Sequence, residues 1–74
     1  MFQITLIRQK RGWSQAELAR KAEIGEANLS RLEQGKIFPY PGWKRKLGDA
    51  LGVDPEILFQ EVKHNDENPI TDSN

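Results

Sequence analysis

Glycine punctuates this chain at helix-length intervals. Gly12, Gly35 and Gly52 each follow a stretch that reads as helical, at the position where a left-handed backbone ends a helix and glycine adopts it most cheaply. Two start signals fit between these stops. Ser14-Gln15-Ala16-Glu17 is a capping box, in which the Ser14 hydroxyl and the Glu17 carboxylate can each accept an orphan backbone N–H of the first turn. Asp54-Pro55-Glu56 repeats the logic with an Asp cap, a proline at the first helical position and an acid near the positive dipole end. The punctuation predicts helices at about Gln3–Arg11, Gln15–Ala22, Glu26–Gln34, Pro41–Leu51 and Pro55–Val62, and no strand pattern competes. Apolar residues recur at helical spacing within them, among them Ile4 and Ile7, Leu18 and Ala22, Leu29 and Leu32, Leu47 and Leu51, and Leu58. These stripes can close one core, and the expected fold class is all-α and compact.

Size limits what such a core can support. A chain of 74 residues makes one small domain, burying roughly 60% of the surface it exposes when unfolded, too little for a deep catalytic cleft as well. With no cysteine there are no disulfides, which is compatible with a reducing cytoplasm. No apolar run approaches the ~20 residues of a membrane span, and no basic residue precedes the short apolar start at Met1–Ile7. The expectation is a soluble, cytoplasmic protein with no membrane partner and no secretory signal. Catalysis has no candidates: His64 is the single histidine, the carboxylates are scattered, and Gly42-Trp43-Lys44 lacks the glycine spacing of a phosphate loop. No metal, no cofactor and no enzymatic activity are expected.

Domain organisation follows from composition. Residues 1–62 carry the helical pattern and form the expected domain. Residues 63–74, from Lys63 to Asn74, hold one aliphatic side chain, Ile70, among turn formers and acids, and read as an acidic, disordered tail. The formal net charge is zero, with 11 basic and 11 acidic side chains, which at first argues against a nucleic-acid partner. Position reverses that argument. Residues 1–53 hold every basic residue except Lys63, for an excess of about five positive charges, whereas Asp54, Glu56, Glu61, Asp66, Glu67 and Asp72 make the remainder acidic.

The two short helices at Gln15–Ala22 and Glu26–Gln34, joined by a tight turn, make a pair whose second member could present its N-terminal face to a groove. Ser14-Gln15-Ala16-Glu17-Leu18-Ala19, Ile24, Leu29-Ser30-Arg31-Leu32-Glu33-Gln34-Gly35-Lys36, Pro39 and Ala50-Leu51-Gly52-Val53, in that order, resemble the phage-repressor/Cro helix-turn-helix family, often called XRE. The resemblance runs from about Ile4 to Phe59. It implies a compact five-helix, lambda-repressor-like DNA-binding domain with a helix-turn-helix.

Particular residues inherit expectations from that resemblance. Gln15 matches the position where relatives touch a phosphate with side chain and helix N-terminus; the alternative is a solvated first-turn residue. Glu26, Ala27, Asn28 and Arg31 fall where the recognition helix faces base edges. Arg31 can pair with guanine O6 and N7, or else contact phosphate or a surface acid; Asn28 can pair with adenine, or cap locally. Glu26 could accept from cytosine or simply favour the helix dipole, and Ala27 could meet a thymine methyl or simply favour the helix. Arg8 and Glu33 match a pair that ties the first helix to the end of the recognition helix. Lys36 and Lys44 are placed for phosphate contact, the alternative being a solvated face.

Three features depart from the family pattern. Glu23 stands where many members have glycine, which requires either a positive φ at some cost or a different turn. Lys44 and Gly48 replace common apolar residues and should weaken the fourth helix. Trp43 should compensate by burial, with Phe38 and Tyr40 expected as core packing rather than a base-stacking platform.

The function implied is a sequence-specific regulator of transcription, a repressor, that reads an operator in double-stranded DNA with helix 26–34. One helix of this kind reads only about 4–6 base pairs, so a homodimer on half-sites roughly 34 Å apart is expected. Its contact surface is either the final helix, with Ile57, Leu58 and Phe59, or the loop after the fourth helix; the same residues could be core. The alternative function is a protein-interaction module, antitoxin-like or a co-regulator, with a protein partner and weak or no DNA binding.

Overall fold

Five helices follow in chain order: α1 (Gln3–Lys10), α2 (Gln15–Ala22), α3 (Glu26–Glu33), α4 (Pro41–Leu51) and α5 (Pro55–Leu58). They come from a computed structural model that describes residues 1–62; the tail expected at 63–74 lies outside the described residues. The local signals act where the sequence puts them. Ser14 Oγ accepts from the Glu17 N–H at 3.0 Å, closing one half of the capping box, and Asp54 Oδ1 accepts from the Glu56 N–H at 2.9 Å. Gly12, Gly35 and Gly52 all hold positive φ.

Three helix ends differ from expectation. α1 and α3 each stop one residue early, with Arg11 and Gln34 as caps. α5 is a single turn of 4 residues and does not reach Val62. The backbone that would continue it turns back to the N-terminus instead. The Gln3 N–H donates to Gln60 O and the Val62 N–H to Met1 O, both at 2.9 Å, around an antiparallel bridge between Phe2 and Glu61. This return also sets Phe2 edge-on to Phe59, with ring centroids 5.7 Å apart.

Every helix contributes to one core: Ile4 from α1, Leu18 from α2, Leu29 and Leu32 from α3, Leu47 and Leu51 from α4, and Leu58 from α5 are fully buried. Truncating any of them to alanine costs about 2–5 kcal/mol in a typical core. Small residues let the helices approach. Ala19 and Ala22 are buried on α2, which packs against both α3 and α4.

The departures in the fourth helix resolve differently from expectation. Gly48 is buried, and a Cβ there would stand 2.8 Å from both Val53 O and Pro55 Cγ, so its absence lets the α4–α5 turn fold close against the helix. Lys44 is tied to the same neighbour, its Nζ lying 3.3 Å from Glu56 Oε1 on α5. Trp43 is half-buried against the core, but Phe38 and Tyr40 are 64% and 59% exposed and do not pack in it. Pro39 and Pro41 explain this, since each disfavours helix in the residue before it and keeps the connection extended over the surface. The aromatics stack edge-on in series, Phe38 on Tyr40 at 5.1 Å and Tyr40 on Trp43 at 5.8 Å.

Glu23 takes the left-handed conformation, with φ 60° and ψ 46°, as the one positive-φ non-glycine residue described. Its turn is closed by the Ile24 N–H donating to Ala19 O at 3.0 Å, and Lys46 Nζ reaches Glu23 O at 3.4 Å from α4.

Candidate nucleic-acid interface

The turn at 23–25 delivers the chain into α3 with Gly25 as N-cap. Gly25 has no side chain to cap with, so the first N–H groups of α3 receive no side-chain acceptor. Leu29 and Leu32 point into the core and fix which face of α3 is outward. Helical spacing then places Arg31 one turn beyond Ala27 and Asn28. Glu26, Ala27 and Arg31 are exposed and Asn28 is half-buried. The structure therefore gathers these residues on the outer side of α3. Among the described residues, the side chains of Glu26, Asn28 and Arg31 make no hydrogen bond or ion pair with the rest of the chain.

Lys36 follows directly. Its backbone N–H donates to Arg31 O at 2.9 Å, completing the helix end around Gly35, while its side chain is exposed. Lys44 forms an exposed ion pair with Glu56 of α5, its Nζ 3.3 Å from Oε1.

Gln15 opens α2 and is half-buried, its carboxamide donating from Nε2 to Glu33 Oε1 at 3.0 Å. Glu33 also accepts twice from Arg8: from Nε at 2.8 Å and from the second fork nitrogen at 3.0 Å. The third Arg8 nitrogen donates to the Trp13 carbonyl at 2.8 Å. One buried charge pair thus connects α1, the turn before α2, the start of α2 and the end of α3.

Sequence reasoning missed two members of this arrangement, the Trp13 carbonyl and the Gln15–Glu33 bond. It also missed a second brace. Arg11 donates to Leu51 O, the last carbonyl of α4, at 2.5 Å, while its guanidinium and the Lys21 ammonium lie 5.3 and 4.9 Å from the Trp13 ring centre. An aromatic just before a capping box, with cations either side in sequence, was the available signal.

Among the described residues, no three His, Cys, Asp or Glu side chains gather to hold a metal ion, and no helix is long and apolar enough to cross a membrane.

Residues 3–58 match a family model described as a helix-turn-helix domain. Over 62 residues the chain is 37% identical to YqaF of Bacillus subtilis (strain 168), named an uncharacterized HTH-type transcriptional regulator, covering 78% of this chain and 82% of that one. No solved structure gives a significant match.

Proposed function

The chain belongs to the helix-turn-helix domain family, and from that premise we propose that it is a DNA-binding regulator of transcription, a cytoplasmic repressor that reads its operator as a homodimer. The observation that carries this reading is the outer face of α3, where the side chains of Glu26, Asn28 and Arg31 have no hydrogen-bond or ion-pair partner among the described residues while Leu29 and Leu32 anchor the opposite face. Arg31 and Asn28 supply bidentate base readers, Ala27 a methyl contact and Glu26 an acceptor for cytosine. Lys36 and Gln15 flank that face as backbone contacts, and Lys44 joins them only by giving up Glu56. A relative named as a transcriptional regulator supports the same reading.

Dimerisation rests on selectivity, because a single short recognition helix reads too few base pairs alone. Of the final-helix residues considered for the contact, Leu58 is fully buried and Phe59 packs on Phe2, whereas Ile57 is 40% exposed.

One observation favours a second reading, a protein-interaction module. The exposed Phe38 adjoins an open apolar hollow lined by Phe2, Leu32, Ile37 and Phe59. Selection of bound sites from random duplexes, followed by footprinting, separates the two. A two-fold motif protected over two adjacent turns supports the operator reading; failure to enrich any motif favours the protein partner.

A further inference from the structure

Glu33 lies in the last turn of α3, at the negative end of the helix dipole, where a carboxylate is unfavourable unless compensated. Its side chain is only 4% exposed. Arg8 supplies the compensation, engaging both carboxylate oxygens in a fork geometry. Neutrality needs no further partner, yet Gln15 adds a third hydrogen bond to Oε1 at 3.0 Å.

That third bond settles the orientation of the Gln15 carboxamide. An ionised carboxylate can only accept, so the amide nitrogen must face Glu33 and the carbonyl oxygen must face away. One amide hydrogen is thereby used and the other has no acceptor among the described residues, on a side chain that belongs to the first residue of α2. An untethered glutamine would populate many rotamers, and freezing them on binding would weaken the complex.

We infer that Glu33 is a positioning residue for the DNA backbone contact: held by Arg8, it holds the Gln15 carboxamide so that its remaining N–H meets a phosphate oxygen. Glu33 itself touches no DNA. The inference rests on the reading of Gln15 as a phosphate contact. It adds that the backbone contact of α2 and the base-reading face of α3 form one rigid unit, because a residue of α3 sets a side chain of α2.

The test uses the full chain and the duplex recovered by site selection, with single phosphates replaced in turn by neutral methylphosphonate. In the native protein one replacement per half-site is expected to weaken binding about fivefold, the equivalent of one ordinary hydrogen bond, and Gln15→Ala should abolish that sensitivity. The double variant Arg8→Met/Glu33→Met removes the tether, keeps Gln15 and replaces the charges by apolar groups of similar size. With its fold checked by circular dichroism, sensitivity at that phosphate should fall to about twofold or less, while sensitivity at the Lys36 phosphate stays. Full sensitivity in the double variant overturns the inference. If no phosphate depends on Gln15 in the native chain, the reading of Gln15 itself is overturned. A measurement without variants or DNA stands beside these: the Gln15 side-chain amide should show a heteronuclear NOE as high as the α2 backbone. Mobility equal to that of the exposed Gln9 and Gln60 side chains also overturns the inference.

Discussion

Arg8 and Glu33 form a bidentate ion pair at 2.8 and 3.0 Å that joins α1 to the end of α3, with side chains 10% and 4% exposed. A pair this enclosed differs from a surface salt bridge. Its net contribution against apolar replacements is small, but removing one partner leaves the other charge buried alone. Arg8→Ala is therefore expected to cost about 3–5 kcal/mol, a large share of the stability of a domain this size. Arg8→Met/Glu33→Met should stay within about 2 kcal/mol of the native protein. Urea unfolding followed by circular dichroism measures both, and a loss below about 1 kcal/mol in Arg8→Ala would show that the pair contributes no more than a surface salt bridge does.

What the sequence made legible is what is decided within one helical turn. Ser14, Asp54 and the glycines after α1, α3 and α4 act through neighbours two to four residues away, so their roles could be read from spacing alone. α5 ends early because Phe2 and Glu61, at opposite ends of the domain, pair across it. No local pattern announces that. Phe38 and Tyr40 carry the composition of a core, but the prolines beside them decide their exposure. Gln15 reads correctly as a first-turn residue; its bond to Glu33 depends on how α2 and α3 cross. The outer face of α3 was legible because Leu29 and Leu32 fix it by periodicity.

Gly48→Ala tests the close turn between α4 and α5. Helix propensity alone favours the substitution by about 1 kcal/mol. The added Cβ, however, would meet the backbone oxygen of Val53 at 2.8 Å, which cannot swing aside as a side chain can. Overpacking of this kind costs about 1–3 kcal/mol. The expected outcome is net destabilisation, with a lower melting temperature; a rise would show that the turn relaxes freely.

Glu23→Gly has the opposite sign. The left-handed conformation at φ 60° strains any residue with a Cβ, and the Lys46 contact is to the Glu23 backbone oxygen, so it survives the change. Relief of strain outweighs the added freedom of the unfolded chain, for an expected gain of about 0.5–1 kcal/mol. In a domain of this length that raises the melting temperature by about 2–8 °C, readable by calorimetry. An unchanged or lower melting temperature would mean that the turn carries no strain to relieve.

Arg31→Ala separates base reading from general attraction. If the guanidinium pairs with a guanine edge, binding to the selected motif should weaken by about 1–3 kcal/mol. Affinity for random duplex should change far less, with its salt dependence reduced by at most one phosphate's worth. Fluorescence anisotropy on both duplexes gives the comparison, and equal losses on the two would reassign Arg31 to the backbone.

Truncation after Val62 tests the acidic end. The cut preserves the bond from the Val62 N–H to Met1 O, so the return of the chain to the N-terminus is left in place. Of the acids retained beyond residue 53, Glu56 and Glu61 already stand 3.3 Å from Lys44 and the N-terminal amine, which offsets much of their field. Removing Lys63, Asp66, Glu67 and Asp72 takes away a net two negative charges, so a neutral chain becomes a basic one. Affinity for random duplex should rise at low salt and converge on that of the full chain as salt shortens the Debye length to a few ångströms. Affinity for the selected motif should rise by a similar factor, leaving the ratio of specific to nonspecific binding nearly unchanged, because the removed charges act on phosphates of any sequence. Equal affinities for both chains at low salt would deny the tail that role.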